Sequence, residues 1–270
     1  MLFRSPRHRG LLDHLARRFV ALDWSHKRLC REIATSATYR QASGAPSTAW
    51  REDPRNELLA RGPRFRLEAE AIRDAALAVS GRLSPAMYGP PVFPPQPDGI
   101  WEVVYSGDRW TTAEDEDRYR RGLYTFWRRT APHPAMTTLD VGSRETCNVR
   151  RVRTNTPLQA LVLLNEASFV EAAGGLAMRG LLEGGPDPAA SVTRSFRLAL
   201  GRSPAARELD VLVGLLNDEA GRFEARPEAA LDLLRSARIE APDGIDPARV
   251  AASIVICNVI LNLDEFLVRG

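Results

Sequence analysis

Leu11, Leu12, Leu15, Phe19 and Leu22 recur at helical spacing, and Leu29, Ile33 and Ala37 repeat the pattern after a break at "DWSHKR". Two helices joined by a turn near Trp24 are expected, with Ser25 placed to cap the second. The next stretch, "ATYRQASGAPSTAWREDPRN", is polar and interrupted by Gly44, Pro46 and Pro54, so it reads as loops and turns. From Leu67 to Val79, apolar Leu67, Ala71, Ile72, Ala75, Leu77 and Val79 alternate with Glu68, Glu70, Arg73 and Asp74. That is another amphipathic helix, ended by Gly81.

Pro85, Pro90, Pro91, Pro94, Pro95 and Pro97 then rule out helix and favour an extended, polyproline-like path. Met87, Tyr88, Val92, Phe93, Ile100 and Trp101 give this segment side chains to bury, so it reads as an ordered crossing segment. "WEVVY" followed by "SGD" adds one short strand and turn. Tyr119, Leu123, Phe126 and Trp127 lie at i, i+4, i+7 and i+8, which favours a helix there, with a strand at "LYTFW" as the alternative. The rest reads as helices over 157–182, 191–200, 204–223, 227–239 and 247–268, separated by Gly or Pro. The expected fold is mainly α: an irregular helical domain with a proline-rich crossing segment and at most one short β hairpin.

Several function classes drop out on composition. The 37 basic and 34 acidic side chains are interleaved, giving a net charge of only +3, and Lys27 is the one lysine, so no concentrated basic face points to nucleic acid. The most apolar run, Val250 to Leu263, is shorter than the roughly 20 residues needed to span a bilayer. It holds Ser253, Asn258 and Asn262, so a buried helix is the better reading. Cys30, Cys147 and Cys257 are far apart and lack a Cys-x-x-Cys pairing; Cys147 reads as a partly buried structural thiol. His8, His14, His26 and His133 include no pair at metal-ligand spacing. No nucleophile elbow, Walker loop or dinucleotide fingerprint occurs.

The chemistry-bearing stretch is "RRVRTNTPLQALVLLN", Arg150 to Asn165. Thr156 is placed as an N-cap, Pro157 suits the first helical position, and Gln159 completes a capping box. A helix start presents free N–H groups, and Arg150, Arg151 and Arg153 before it add attraction for an anion. Two readings stand side by side. In one the cluster binds a phosphate, sulfate or carboxylate; in the other the arginines pair with the chain's own carboxylates, among them Asp140, Glu145, Asp264 and Glu265. Asp140, Arg144, Glu145 and Cys147 form the most polar neighbourhood, and its carboxylates raise the question of acid–base chemistry on a glycosidic bond. Trp101, Tyr105, Trp110, Tyr124, Phe126 and Trp127 offer a sugar-stacking surface or, as the default, core packing. No catalytic residue is assigned.

"TSATYRQAS", "DPRNELLARGPRFRLEAEAIRDAAL", "RRGLYTFWRRTAPHPAM", "SRETCNVRRVRTNTPLQALVLLN" and "LNLDEFL" occur in that order. Together they resemble the planctomycete-specific C-terminal domain of unknown function called the PSD-one family, from about Leu11 to Leu267. The resemblance implies a single domain over residues 11–268 at the C-terminal end of a larger, extracytoplasmic protein; residues 1–10, which lack an apolar signal region and lead directly into a helical pattern, read as a truncated or non-native start. Members commonly carry a cytochrome-c-like module and sometimes a carbohydrate-binding-like sandwich, so the implied partners are the other domains of the parent protein and polysaccharide. This chain holds no Cys-x-x-Cys-His, so no cofactor is expected in it, and any haem c would belong to the rest of the parent. The sequence departs from the family pattern at Gly174-Gly175, where two glycines cost roughly 2 kcal/mol in a helix interior and are expected to break it. The reading is a structural or interaction module. The alternatives are part of a polysaccharide-binding or polysaccharide-processing protein with an arginine-lined anion site, and a docking scaffold for a cytochrome-c-like module.

Overall fold

A computed structural model describes residues 7–44, 47–101, 107, 109–148 and 151–269. They fall into two units, one running to Phe65 and including Arg269, the other spanning Arg66–Val268.

In the first unit, α1 (Arg9–Ala21) and α2 (His26–Thr35) form a helical hairpin whose turn places Asp23 and Trp24 at φ of 54° and 57°. Ser25 caps α2, its hydroxyl accepting the Arg28 N–H at 3.4 Å. Phe19 packs edge-on against Trp24 and His26, and Arg18 binds Glu32 across the hairpin. The polar stretch after α2 holds a short helix, α3 (Ser47–Glu52), where sequence punctuation indicates only loop. Arg61 ties the turns after α3 to that helix: it donates to Ala49 O at 3.3 Å and Pro54 O at 3.1 Å and lies 3.9 Å over the Trp50 ring.

The chain changes unit within a two-stranded sheet, β1 (Phe65–Arg66) paired with β2 (Val268–Arg269). This is no hairpin, since the strands lie at opposite ends of the second unit's sequence. The Leu67 N–H extends the pairing to Leu267 O at 2.8 Å.

The second unit is mainly α. Its elements are α4 (Ala69–Val79), two 3-10 turns (Glu116–Tyr119 and Gly122–Tyr124), α5 (Pro134–Thr138), α6 (Pro157–Asn165), α7 (Ala167–Gly184), α8 (Pro188–Leu200), α9 (Ala206–Glu224), α10 (Pro227–Ser236), α11 (Pro247–Leu261) and α12 (Asp264–Leu267). α11 is apolar all round because it serves two cores. Ala251, Ile254 and Cys257 join the core that α11 shares with α7 and α10, while Ala252, Ile256 and Ile260 join Phe196 of α8 and Leu216 of α9.

Four expectations change. The 157–182 helix is two helices bent by 59°, because Glu166 leaves helical geometry at ψ 138° and its carboxylate caps α7 through the Ser168 N–H at 2.9 Å. Conversely, α7 runs unbroken through Gly174 and Gly175. A Cβ at Gly174 would stand 2.8 Å from the Ala237 Cβ, and one at Gly175 2.8 Å from Ser80 O, so the glycines admit neighbouring chain rather than end the helix. The 119–127 stretch is no α-helix: Phe126 donates to Val92 O and Val92 to Tyr124 O, both at 2.8 Å, which takes its backbone into a bridge with the proline-rich segment. The last helix stops at Leu261, with α12 and β2 after it. The strand expected at "WEVVY" lies, beyond Trp101, outside the described residues.

Candidate functional site

The start of α6 is built as its residues dictate. Thr156 Oγ1 accepts the Gln159 N–H at 3.4 Å and the Thr156 N–H donates back to Gln159 Oε1 at 3.2 Å, with Pro157 in the first turn. Gln159 is buried, and its amide nitrogen reaches Thr138 O, Asp140 and Thr154 Oγ1. Asp140, at φ 64° in the left-handed region that Asp tolerates, is the hub. It accepts from the Thr154 N–H at 2.7 Å, from the Thr154 hydroxyl, from Gln159 and from Arg66 Nη2 at 2.6 Å. Burial works to raise its pKa, and the bonds from Thr154 and Gln159 and the Arg66 charge outweigh it, so the carboxylate sits below its ordinary range. A carboxylate of the chain itself thus lies beside the entrance to α6.

The arginines before α6 meet partners from another part of the chain. Arg151 Nη1 lies 2.7 Å from Glu70 and 3.3 Å from Glu68, and Arg153 Nη2 lies 3.3 Å from Glu68. Glu265, one of the expected partners, holds Arg202 instead, at 2.7 Å. Arg150 lies outside the described residues. Arg144 is not drawn into the cluster: its guanidinium stacks 4.9 Å from the Trp127 ring, and Glu145 is exposed. Cys147 is exposed too, against the expectation of partial burial, because residues 143–148 form an irregular surface stretch.

The aromatic set packs on itself. Phe93 stacks on Phe126 at 5.0 Å, and Trp101 and Trp110 meet edge-on at 5.3 Å. Arg120 covers Tyr124 at 4.1 Å, and Tyr105 lies outside the described residues. A cavity of 710 Å³ is lined by residues 96–101 and by Gly107, Arg109, Trp110 and Thr112. Among the described residues, no group of three or more His, Cys, Asp or Glu side chains is placed to hold a metal ion. No single helix there is long and apolar enough to cross a membrane.

Residues 3–216 match the PSD1 protein family, described as a protein of unknown function (DUF1553). The chain belongs to this family. No curated protein and no solved structure matches it.

The densest polar chemistry in this PSD1 chain is internal and went unforeseen. Arg118 donates through Nε to Glu171 at 3.0 Å and through Nη1 to Ala113 O at 3.1 Å; the Glu171 side chain is 1% exposed and that of Arg118 7%. Arg73, also buried, donates to Arg120 O at 2.5 Å and Arg118 O at 2.8 Å, while Arg120 holds Tyr88 O and Pro90 O. Three guanidinium groups therefore satisfy the carbonyls of a segment with neither helix nor sheet to do so. Beside them, a void of 10 Å³, room for a single water at most, is lined by Arg73, Thr125, His133, Glu166 and Ser168 among others. Burial pushes Glu166 up to about 7, against the pull of Arg73 and of bonds from Ser168. Burial pushes His133 down to about 4, helped by Arg73 and opposed by its bond to Pro95 O. One sequence signal was available: Glu171 is a lone carboxylate in the small, apolar run "FVEAAGGLAM", where an unpaired charge is not tolerated.

The arginine cluster and the cap differ in expected weight. Arg151 and its partners are partly exposed, at 33% for Arg151, 44% for Glu68 and 17% for Glu70, so Arg151→Ala should cost no more than about 1 kcal/mol. Thr156→Ala should cost about 1 kcal/mol through the lost cap. Asp140→Ala should exceed both, because it strands Arg66, whose side chain is 9% exposed. Urea unfolding of the three variants checks that order.

Proposed function

We propose that this chain is a non-catalytic interaction module of a larger extracytoplasmic protein, joined to the parent's other domains through the apolar face of α1. The observation that carries the reading is that face. Leu11 and Leu12 are exposed on it, Trp24 after the helix is 65% exposed, and neither α1 nor α2 contains a buried residue. An apolar surface of this kind costs free energy in water and marks a contact site. The inward use of Arg66, Arg73, Arg118 and Arg120 supports the same view, since they bind the chain's own carbonyls and carboxylates. The resemblance to planctomycete proteins with cytochrome-c-like modules supports the parent's extracytoplasmic setting and assigns any haem to those other domains.

Hydrogen exchange on the parent protein and on this chain alone tests the reading. Amides of α1 should exchange at least tenfold more slowly in the parent, and Leu11→Glu with Leu12→Glu should abolish the difference. Equal exchange in the two proteins would refute it.

A further inference from the structure

Charge is balanced over the whole chain but divided unevenly along it. Residues 1–65 hold 13 Lys and Arg against 6 Asp and Glu, a net of +7, whereas residues 66–270 hold 24 against 28, a net of −4. Three of the six carboxylates before Arg66 are already engaged: Asp53 by the Glu57 and Leu58 N–H groups, both at 2.7 Å, Glu32 by Arg18, and Glu57 by Arg7. The cations of α2 are not. Its half-buried positions are Leu29, Glu32 and Ile33, so Lys27, Arg28 and Arg31 stand exposed on its other sides, and none of the three forms an ion pair among the described residues.

This arrangement works against the helix that carries it. Arg31 lies four positions after Lys27 and three after Arg28, the spacings at which like charges repel, and the first turn of α2 holds both Lys27 and Arg28 and no acidic residue, where the helix dipole disfavours cations. The turn before α2 is strained as well. Trp24 is held at φ 57°, a left-handed conformation that bulky side chains rarely adopt, and it is 65% exposed. Its N–H donates to Phe19 O at 3.0 Å and the Ser25 N–H to Leu22 O at 3.1 Å, which fixes that display. Repulsion and strain that bring no burial in exchange mark a surface shaped for a partner. Tryptophan and arginine are among the residues most enriched where partners bind tightly, and here Trp24 and Arg28 lie at the same end of the hairpin.

We propose that the surface of the parent protein that receives α1 is acidic, with carboxylates facing Lys27, Arg28 and Arg31 around an apolar seat for Trp24. The inference rests on the α1 contact and names the chemistry of its partner. Hydrogen exchange of α1 in the parent, referred to this chain alone, tests it in the variant carrying Lys27→Glu, Arg28→Glu and Arg31→Glu, which should fold because acidic side chains suit the first turn of a helix. Protection of α1 should fall at least tenfold in this triple variant, and at least threefold in Trp24→Gly, which frees the turn of its strain. In the unaltered parent it should also fall at least threefold between about 0.05 and about 0.5 M salt, over which exposed charge pairs are screened. If α1 exchanges equally in the unaltered parent and in this chain alone, the contact itself fails and the proposal with it. If α1 is protected in the parent and the triple variant leaves that protection unchanged, the contact stands and the acidic surface is overturned. Co-sedimentation of the parent with phosphatidylglycerol vesicles, lost in the triple variant, would assign the cations to a membrane and overturn it likewise.

Discussion

Replacing Arg118 with methionine is expected to lower the unfolding free energy of the Arg66–Val268 unit by about 3–5 kcal/mol, the cost of stranding one member of a buried ion pair. Methionine keeps most of the side chain's volume but leaves Glu171, 1% exposed, without its cation and Ala113 O without that donor. Glu171→Leu should be similarly harmful, because Arg118 would retain only Ala113 O and a distant contact to Glu114 at 4.0 Å. The double variant should recover most of the loss, since two apolar side chains in mutual contact carry no desolvation penalty. Urea midpoints at constant slope would measure all three. Single variants within 1 kcal/mol of the parent would mean that the pair contributes no more than a surface one.

The second large effect is a pH dependence that the intact protein conceals. Glu166 rises from an ordinary 4.5 to about 7 on folding, so the folded chain holds a proton that the unfolded chain releases. Its contribution is fully present below pH 4.5 and is lost as pH rises through about 7, by about 3 kcal/mol in all. His133 falls from 6.5 to about 4. Its contribution is fully present above pH 6.5 and is lost as pH falls through about 4, again by about 3 kcal/mol. Between pH 4.5 and 6.5 the two slopes oppose each other, so these groups together should leave stability nearly flat. Glu166→Gln removes one slope, and stability should then rise with pH across that window by about 1.4 kcal/mol per unit. Urea titrations at pH 4.5, 5.5 and 6.5 would show it. An unchanged profile would mean that Glu166 is as well solvated folded as unfolded.

Wherever a few neighbouring residues decide the outcome, the chain's chemistry is legible along its length. Ser25 caps α2, and Thr156, Pro157 and Gln159 start α6 with the expected capping box, because cap geometry needs only residues within one turn. The amphipathic periodicity around Ile72 and the apolar α11 likewise report burial directly, so the mainly α character is set by pattern alone. Tertiary structure decided what depends on residues far apart in sequence. The stretch 119–127 has helical spacing, yet Val92 and Arg73, brought in from elsewhere, take its backbone groups. Gly174 and Gly175 look like breakers until Ala237 and Ser80 are seen pressed against them. Sequence left open whether Arg151 and Arg153 meet an external anion or the chain's own carboxylates, and that they reach Glu68 and Glu70 depends on where β1 delivers the start of α4. Charge pairs and close backbone contacts act through space, and no local pattern records which distant segment the fold will bring to them.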